Sequence, residues 1–203
     1  MFRDNFLQKS NTSKIILGSS SRYRKDLLDR ILDNYEIISP KVDENNYNSL
    51  NSQEHSQKIA LKKIARISEN QKNSLIICAD QIGEISNKTL TKPSSHQDAL
   101  NQLIDCSNKK AFFYTSTVIL DQKNKQYFKY TDKTVVCFDK ITHSLAEAYL
   151  KKDNPMDCAG SFKVERSGSV LFKRIETIDP TALIGLPLIW ISSILKKLGY
   201  LVA

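Results

Sequence analysis

The chain has 203 residues, of which 40% are hydrophobic and 26% are charged, a composition that is ordinary for one globular domain. Its formal net charge of +8 favours anionic partners. The basic residues are scattered, however, and do not form the basic block with interleaved aromatic residues that is typical of nucleic-acid binders. We therefore predict a single domain over residues 1–203 without a stable nucleic-acid partner. Nucleotide phosphates would satisfy its positive charge equally well.

The cysteines and the apolar segments indicate the compartment. Four cysteines are widely spaced without a CxxC pair, and no signal peptide precedes them, which predicts reduced thiols in a cytoplasmic protein. The longest apolar run, residues 182–195, is interrupted by Gly185 and Pro187 and is shorter than the roughly 20 residues of a membrane-spanning helix. We expect no membrane segment. We also expect the polar residues 1–13 to form a weakly ordered lead-in.

The first structured segment combines a short strand, a serine-rich loop and a basic helix. Three aliphatic residues end at Gly18, and Ser19 to Ser21 lead into an amphipathic run that contains Arg24. Ser20 or Ser21 can cap this helix, so that its free N–H groups and the nearby basic side chains would bind a phosphate. The alternative is a capped helix with a solvated basic face. The segment contains neither a GxxxxGK[ST] loop nor a GxGxxG fingerprint.

The rest of the chain predicts an α/β protein with a β-rich second half. Apolar residues at helical spacing predict helices, whereas apolar or alternating runs predict strands. The predicted strands cover residues 35–39, 74–79, 111–120, 127–130, 131–138 and 169–172, with a turn-rich link at 88–93. The predicted helices cover residues 52–68, 97–104, 143–151 and 185–198.

Carboxylates at strand ends are the candidate catalytic groups. An apolar strand delivers Asp80 at its carboxyl end, where open α/β sheets place their chemistry, and Gln81 follows it. Asp43 and Glu44 follow the second predicted strand, although such a pair is also common in a solvated turn. Residues 157–165 combine small residues with one lysine and one glutamate, which suits close approach of the backbone to a ligand. The three histidines are isolated, which argues against a His-based metal site or triad.

Together these motifs resemble the Maf family of nucleotide pyrophosphatases from Lys14 to Tyr200. The opening pattern of that family, roughly LASxSPRR, is similar to residues 17–24. Five further family motifs occur in the same order, at Asp43-Glu44, Lys63, Asp80, Lys92-Pro93 and Gly185-Leu186-Pro187. The resemblance implies a Maf-like, inosine triphosphatase-like α/β fold with two lobes, a mixed central sheet and an active-site cleft between the lobes.

The resemblance also implies hydrolysis of a nucleoside triphosphate to the monophosphate and pyrophosphate with a divalent cation, Mg²⁺ or Mn²⁺. Three departures from the commonest pattern, at residues 22–23, 80–81 and 159–165, look like the branch of the family that hydrolyses 7-methyl-GTP. One alternative is a Maf-type pyrophosphatase for dTTP, UTP or other modified nucleotides. Another is a catalytically weakened nucleotide-binding protein, because Thr91 and Ser116 replace glycines of the family pattern.

The resemblance assigns roles at the phosphate end of the expected cleft. Asp80 is the expected general base, and Glu44 and Asp80 are the expected ligands of the metal. Ser19 and Ser21 would bind the phosphates together with Arg24. Lys63 and Lys92 would neutralise the charge that develops on the pyrophosphate leaving group.

The residues expected to bind the base are inferred from the chemistry of 7-methylguanine. Its ring is cationic and presents N1–H and the 2-amino group as donors. Such a base suits an aromatic face and a carboxylate, which Tyr23 and Glu165 supply. Gln81 and Lys163 complete the expected substrate-binding residues, and Gln81 could tune the orientation of the nucleotide. In the alternative arrangement Tyr23 packs into the core and Glu165 pairs with Lys163 or Arg166. A homodimer is a further expectation.

Overall fold

The computed structural model describes residues 13–44 and 51–202, so residues 1–12 of the expected lead-in lie outside the described residues. Seven strands form one mixed sheet in the order β2-β1-β3-β5-β6-β7, and β4 pairs with β3. The strands are β1 (Ile15–Gly18), β2 (Glu36–Ile37), β3 (Leu75–Ile85), β4 (Lys88–Leu90), β5 (Lys110–Asp121), β6 (Gln126–Phe138) and β7 (Phe172–Glu176). The helices are α1 (Arg22–Leu28), α2 (Ser52–Ser68), α3 (His96–Cys106), α4 (His143–Asp153) and α5 (Leu188–Lys197).

The sheet changes from parallel to antiparallel pairing at β3. β1 pairs in parallel with β2 and with the first residues of β3, whereas β3 pairs antiparallel with β5 along its whole length. The aliphatic residues of β1 and of the first half of β3 are buried, because helices cover both faces of this part of the sheet. The last parallel pair joins Gly18 to Cys78, and Asp80 follows two residues later.

The helices divide the sheet into two lobes, each with its own core. In the first lobe, α1 and α5 pack on one face of β1 and β3, and α2 packs on the other face. In the second lobe, α3 and α4 pack against the far parts of β3, β5 and β6, around Phe113 and Phe138. The predicted two-lobed α/β fold with a mixed central sheet is therefore confirmed.

Three predicted elements differ from the structure. The strands predicted at 127–130 and 131–138 form the single strand β6, because β5 pairs with it without interruption. The link predicted at 88–93 contains β4, which forms a hairpin with the extended end of β3. The strand predicted at 169–172 is wrong, because Ser167–Leu171 is a 3₁₀ helix and β7 begins only at Phe172. A backbone hydrogen bond from Gly168 N to Lys163 O, 3.1 Å long, closes the turn before this helix.

Gly18 allows β1 to approach its neighbours closely. A Cβ atom at this position would lie 2.2 Å from Sγ of Cys78 and 2.4 Å from Cδ1 of Ile67. Any larger residue would push β1 away from β3 and α2, and it would move the loop that follows Gly18. The size of this one residue therefore fixes where the serine-rich loop leaves the sheet.

Two buried carboxylates anchor the segment before α5. Asp132 is 1% exposed and accepts hydrogen bonds from Thr177 Oγ1 at 3.0 Å and from Asp179 N at 3.2 Å. Asp179 is also 1% exposed and accepts from Thr181 Oγ1 at 2.6 Å and from Ile189 N, in the first turn of α5, at 2.7 Å. Buried carboxylates require such donors, since an unpaired buried charge is very costly. The network fixes the path of this segment towards the first lobe.

The predictions about cysteines and membrane segments can be compared with the described residues. All four cysteines are free thiols, and three of them are buried. No helix in residues 13–44 or 51–202 combines the length and the apolar character needed to cross a membrane.

Candidate active site

A cleft of about 500 Å³ opens between the two lobes, beside the end of β1 and the middle of β3. Its volume lies in the range of roughly 300–1,000 Å³ that is usual for small-molecule sites. All but one of the predicted site residues line this cleft, and the exception, Lys163, lies behind its wall. The lining residues among them are Ser19, Ser21, Tyr23, Arg24, Glu44, Lys63, Asp80, Gln81, Lys92 and Glu165.

The serine-rich loop is held by its own hydroxyl groups. Ser21 caps α1 as one of the two predicted candidates, since its Oγ accepts from Arg24 N at 3.4 Å. Ser19 is 4% exposed, and its Oγ accepts from Ser21 N at 3.1 Å and from Arg24 Nη1 at 3.4 Å. These contacts place two hydroxyl groups and one guanidinium on the same wall of the cleft.

Arg24 is further fixed by the Gly-Leu-Pro segment near the carboxyl end of the chain. Its Nε donates to the carbonyl oxygen of Gly185 at 3.1 Å. Gly185 has φ 138°, which side-chain-bearing residues rarely adopt, and a Cβ there would lie 3.2 Å from Cγ of Arg24. The glycine therefore serves two needs at once, the turn before α5 and close contact with the arginine.

Lys63 joins the two carboxylates that were expected to bind a metal. Its Nζ lies 2.8 Å from Oε1 of Glu44 and 2.8 Å from Oδ1 of Asp80. Lys63 and Asp80 are 4% and 5% exposed, whereas Glu44 is exposed at the mouth of the cleft. Lys63 comes from the buried face of α2, and Asp80 comes from β3, so both side chains have rigid supports.

Burial raises the pKa of Asp80 above the ordinary carboxyl value, and the negative charge of Glu44 adds to this effect. The positive charges of Lys63 and Arg24 act in the opposite direction. A carboxylate with a raised pKa binds a proton more readily than an exposed one, which is the property that a general base needs.

The carboxylates of the cleft would suit a hard divalent cation only if the substrate supplied further ligands. Glu44 and Asp80 lie close together, because one oxygen of each is 2.8 Å from Nζ of Lys63, whose ammonium group stands between them. Mg²⁺ commonly takes one or two carboxylates and completes its shell with water and substrate phosphates. Within residues 13–44 and 51–202, no group of three His, Cys, Asp or Glu side chains could hold a metal ion by itself. The phosphates would therefore have to supply further ligands.

At the other end of the cleft, Tyr23 reaches from α1 to the loop that precedes Phe162. Its hydroxyl donates to Oδ2 of Asp157 at 2.6 Å. Lys163 Nζ binds the other oxygen of Asp157 at 3.0 Å and the carbonyl oxygen of Asn154 at 3.2 Å, and this lysine is only 9% exposed. Tyr23 therefore lines the cleft instead of packing into the core, and Lys163 supports the wall from behind.

Glu165 also lines the cleft and is exposed. Within the described part of the chain, neither Lys163 nor Arg166 forms an ion pair with it. The alternative arrangement, in which Tyr23 packs into the core and Glu165 pairs with Lys163 or Arg166, is thus contradicted. Its carboxylate is available to a ligand.

Gln81 connects the cleft to the segment before α5. Its Nε2 donates to Thr115 Oγ1 at 2.9 Å and to the carbonyl oxygens of Ala182 and Leu183 at 3.0 and 3.1 Å. The Thr115 hydroxyl gives its own hydrogen to Ala182 O, so it can only accept from Gln81. The amide nitrogen is therefore committed to the protein.

The two replaced glycines have different surroundings. Ser116 is 1% exposed, and its Oγ lies 2.7 Å from Ser56 Oγ and 2.8 Å from Thr131 Oγ1, between α2 and β6 and away from the cleft lining. Thr91 precedes Lys92 in an exposed loop, and its carbonyl oxygen accepts from Gly160 N at 3.2 Å. Neither side chain lines the cleft, whereas Lys92 does.

Sequence reasoning missed the role of Asp157 and the contacts of residues 182–185. Asp157 stands next to the small residues that were singled out, but its partner Tyr23 is 134 positions away. No local pattern in the sequence predicts such a pairing.

The family model described as Maf-like protein matches residues 14–198. A relative from Cupriavidus pinatubonensis named 7-methyl-GTP pyrophosphatase is 35% identical over 92% of this chain and 94% of its own length. A relative of the same name from Aliivibrio fischeri is 36% identical over 92% of this chain and 97% of its own length. A solved nucleoside-triphosphatase / dITP/XTP pyrophosphatase from Mycobacterium abscessus aligns with a TM-score of 0.39 and 13% identity over 63% of this chain and 75% of that chain, which is too distant to bear on function. Because the family match spans both lobes and the cleft between them, the chain belongs to the family of Maf-like proteins.

Proposed function

We propose that the protein hydrolyses 7-methyl-GTP to 7-methyl-GMP and pyrophosphate with the help of a divalent cation. One observation carries this proposal. A single cleft joins a lysine-linked pair of carboxylates at one end to an aromatic wall and an available carboxylate at the other. The first end suits a triphosphate and the second suits a cationic purine. The two relatives named 7-methyl-GTP pyrophosphatase support the same substrate.

The phosphate end provides positive charge on several sides of the triphosphate. Arg24 and the hydroxyl groups of Ser19 and Ser21 lie on one wall, and Lys63 and Lys92 lie on other parts of the lining. Preorganised cationic groups stabilise the charge that develops on a pyrophosphate leaving group, and this effect is large in a site that is partly closed to water. Arg24 is held at two atoms and needs little reorganisation.

Asp80 is the proposed general base. A water molecule attacks the α-phosphorus, its proton passes to Asp80, and the bond to the bridging oxygen breaks so that pyrophosphate leaves. The raised pKa of Asp80 favours acceptance of this proton. A divalent cation held by Glu44 and Asp80 would neutralise phosphate charge and polarise the phosphoryl oxygens. Lys63 keeps the two carboxylates together.

Tyr23 and Glu165 are the proposed determinants of the base. A cationic ring stacked on Tyr23 gains roughly 1 to 2 kcal/mol, and a carboxylate that accepts from N1–H and the 2-amino group adds charge-assisted hydrogen bonds. Uracil and thymine present one N–H between two carbonyl groups and cannot match this pattern. Gln81 contributes to this end by holding residues 182 and 183 in place, so that its proposed effect on the nucleotide is exerted through the cleft wall.

The test is pyrophosphate release from 7-methyl-GTP, GTP, UTP and dTTP in the presence of Mg²⁺ or Mn²⁺. We expect kcat/KM for 7-methyl-GTP to exceed the other values by at least about 10-fold. UTP and dTTP lack the paired donors that a carboxylate accepts, and GTP has these donors but lacks the positive ring charge that strengthens stacking on Tyr23. Equal rates on UTP and 7-methyl-GTP would overturn the proposed specificity and favour the alternative with dTTP, UTP or other modified nucleotides. Turnover that does not depend on either metal would overturn the proposed cofactor. The homodimer, the absence of a nucleic-acid partner and the cytoplasmic location stay predictions.

A further inference from the structure

The side chain of Tyr23 spans the cleft from one lobe to the other. It begins on α1, in the first lobe, and its hydroxyl donates to Asp157 at 2.6 Å in the loop that follows α4. The ring therefore has contacts at both ends, at its own backbone and at its hydroxyl. A side chain held in this way loses little further freedom when a ligand packs against it.

Asp157 is itself held as a fixed and charged acceptor. Lys163 Nζ contacts its Oδ1 at 3.0 Å, and Lys163 N donates to the hydroxyl of the buried Tyr149 at 2.8 Å. Partial burial acts to raise the pKa of Asp157, but the hydrogen bonds from Tyr23 and Lys163 outweigh it and lower the pKa to about 2. Asp157 is thus ionised at any pH at which the protein would work.

We infer that Asp157 is a positioning residue that sets the base selectivity of the cleft by holding the ring of Tyr23 in one orientation. This inference rests on the proposed function, in which the base stacks on Tyr23. Lys163 Nζ lies 5.9 Å from the centroid of the ring and covers one face, so the base must use the other. Stacking depends on the offset and tilt of the two rings, and a ring free to rotate about χ1 and χ2 loses this advantage.

The hydrogen bond from Tyr23 to Asp157 should matter most for a large cationic base. A 7-methylguanine ring overlaps more of the tyrosine than a pyrimidine does, and its charge strengthens the contact. Release of the ring should therefore weaken binding of 7-methyl-GTP more than binding of UTP. Binding would also have to immobilise the released ring, which lowers affinity, and a change in selectivity of about 10-fold is expected.

The experiment compares Tyr23→Phe, Asp157→Asn and the double variant with the wild type on 7-methyl-GTP and UTP. Tyr23→Phe keeps the aromatic face and removes only the hydroxyl. The chain offers a matched control in Tyr35→Phe, because Tyr35 donates to Asp29 at the same distance of 2.6 Å, away from the cleft lining. The control should lose similar thermal stability and keep the wild-type ratio of kcat/KM values.

We expect each single variant to lower the ratio of kcat/KM for 7-methyl-GTP over UTP by about 10-fold, mainly through KM, and the double variant to lower it no further. Such non-additivity identifies one shared interaction. The inference is overturned if Tyr23→Phe keeps the wild-type ratio, or if the two single effects multiply in the double variant. If Asp157→Asn does not fold, Tyr23→Phe alone decides. A wild type that prefers another nucleotide refutes the proposed substrate instead, and the same variants then test Asp157 on the preferred and disfavoured nucleotides.

Discussion

The phosphate end and the base end of the cleft are built in different ways. The phosphate end uses buried side chains from regular elements, with Asp80 on β3 and Lys63 on α2, each no more than 5% exposed. The base end uses the loop that carries Asp157 and Glu165, together with one tyrosine that reaches across to it. Rigid elements fix reacting groups more accurately than loops do, whereas loops tolerate sequence change. The residues proposed for phosphate chemistry therefore stand on a strand and a helix, and most of those proposed to select the base stand on a loop.

The largest effect should come from the buried carboxylate of the phosphate end. Asp80→Asn should lower kcat by at least about 100-fold, because loss of a general base or metal ligand removes that much transition-state stabilisation. Pyrophosphate release at saturating nucleotide measures this. Asp121→Asn is the matched control, since Asp121 is a 6% exposed carboxylate at the far end of β5 that binds the turn at Asn124. A value of kcat within a few-fold of wild type for Asp80→Asn would remove Asp80 from the mechanism.

Arg24→Ala should give the second-largest effect, a loss of about 30-fold in kcat/KM. A charge-assisted contact to a phosphate contributes roughly 1.5 to 3 kcal/mol, and the loss should be larger for a triphosphate than for a diphosphate substrate. Steady-state kinetics on both substrates measure this difference. Arg66→Ala removes an exposed arginine of α2 that pairs with Glu69 and serves as the control. An equal loss on both substrates would show that Arg24 is needed for the fold of the loop and not for the phosphate charge.

Glu165→Gln tests the base end without touching the phosphates. The amide keeps the shape of the side chain but replaces one acceptor by a donor, so the ratio of kcat/KM for 7-methyl-GTP over UTP should fall by about 10-fold. Glu147→Gln, on α4 beside His96, changes the same group away from the cleft and should leave this ratio unaltered. If Glu165→Gln retains the full ratio, the base is recognised by other groups.

Lys92→Ala should have a smaller effect, about 5-fold in kcat/KM, because the lysine is exposed and its charge is screened by water and salt. The melting temperature of the Lys92→Ala variant should be unchanged, since no ion pair within the described residues involves Lys92. Differential scanning calorimetry and kinetics give the two numbers. Lys88→Ala, on the exposed start of β4, is the control. A lowered melting temperature with normal kinetics would make Lys92 a structural residue.

The smallest change in activity is expected for Ser116→Gly, which restores the glycine of the family pattern. Because the serine lies outside the cleft lining, kcat should stay within about twofold, while the free energy of unfolding falls by about 1 to 2 kcal/mol through loss of the contacts to Ser56 and Thr131. Chemical denaturation and pyrophosphate release measure the two effects. A gain of tenfold or more in kcat would instead support the alternative of a catalytically weakened protein.

The structure brings the residues predicted for the phosphate end together in one cleft, and several of them stand beside strong local patterns in the sequence. Asp80 ends an apolar run, and Ser21 caps an amphipathic helix, so local patterns single out both residues. The expectation that Asp80 stands at the carboxyl end of its strand is wrong, because pairing with β5 extends β3 to Ile85. The resemblance to the Maf family adds Glu44, Lys63 and Lys92 by motif order. No local pattern in the sequence predicts how the phosphate end and the base end come together in one cleft.

Contacts between distant parts of the chain explain why the predictions for Lys163 and for residues 169–172 differ from the structure. Lys163 fits a ligand-binding loop by composition, but the structure commits its ammonium group to Asp157 and to Asn154 O. The predicted strand at 169–172 has the apolar composition of a strand, but the turn closed by Gly168 overrides this preference. In both cases tertiary contacts decide between arrangements that are equally compatible with the local sequence.

The hydrogen bond from Arg24 to Gly185 has a consequence for the way the protein is made. The two residues are 161 positions apart, and the turn at Gly185 depends on Asp179 and on the first residues of α5. When only β1, α1 and α2 of the first lobe have been synthesised, the carbonyl group of Gly185 that orients this arginine is therefore still missing. Contacts of such long range also form late, because closing a large loop is entropically unfavourable. The nascent chain should consequently remain inactive towards nucleotides until residues 179–191 have left the ribosome and packed.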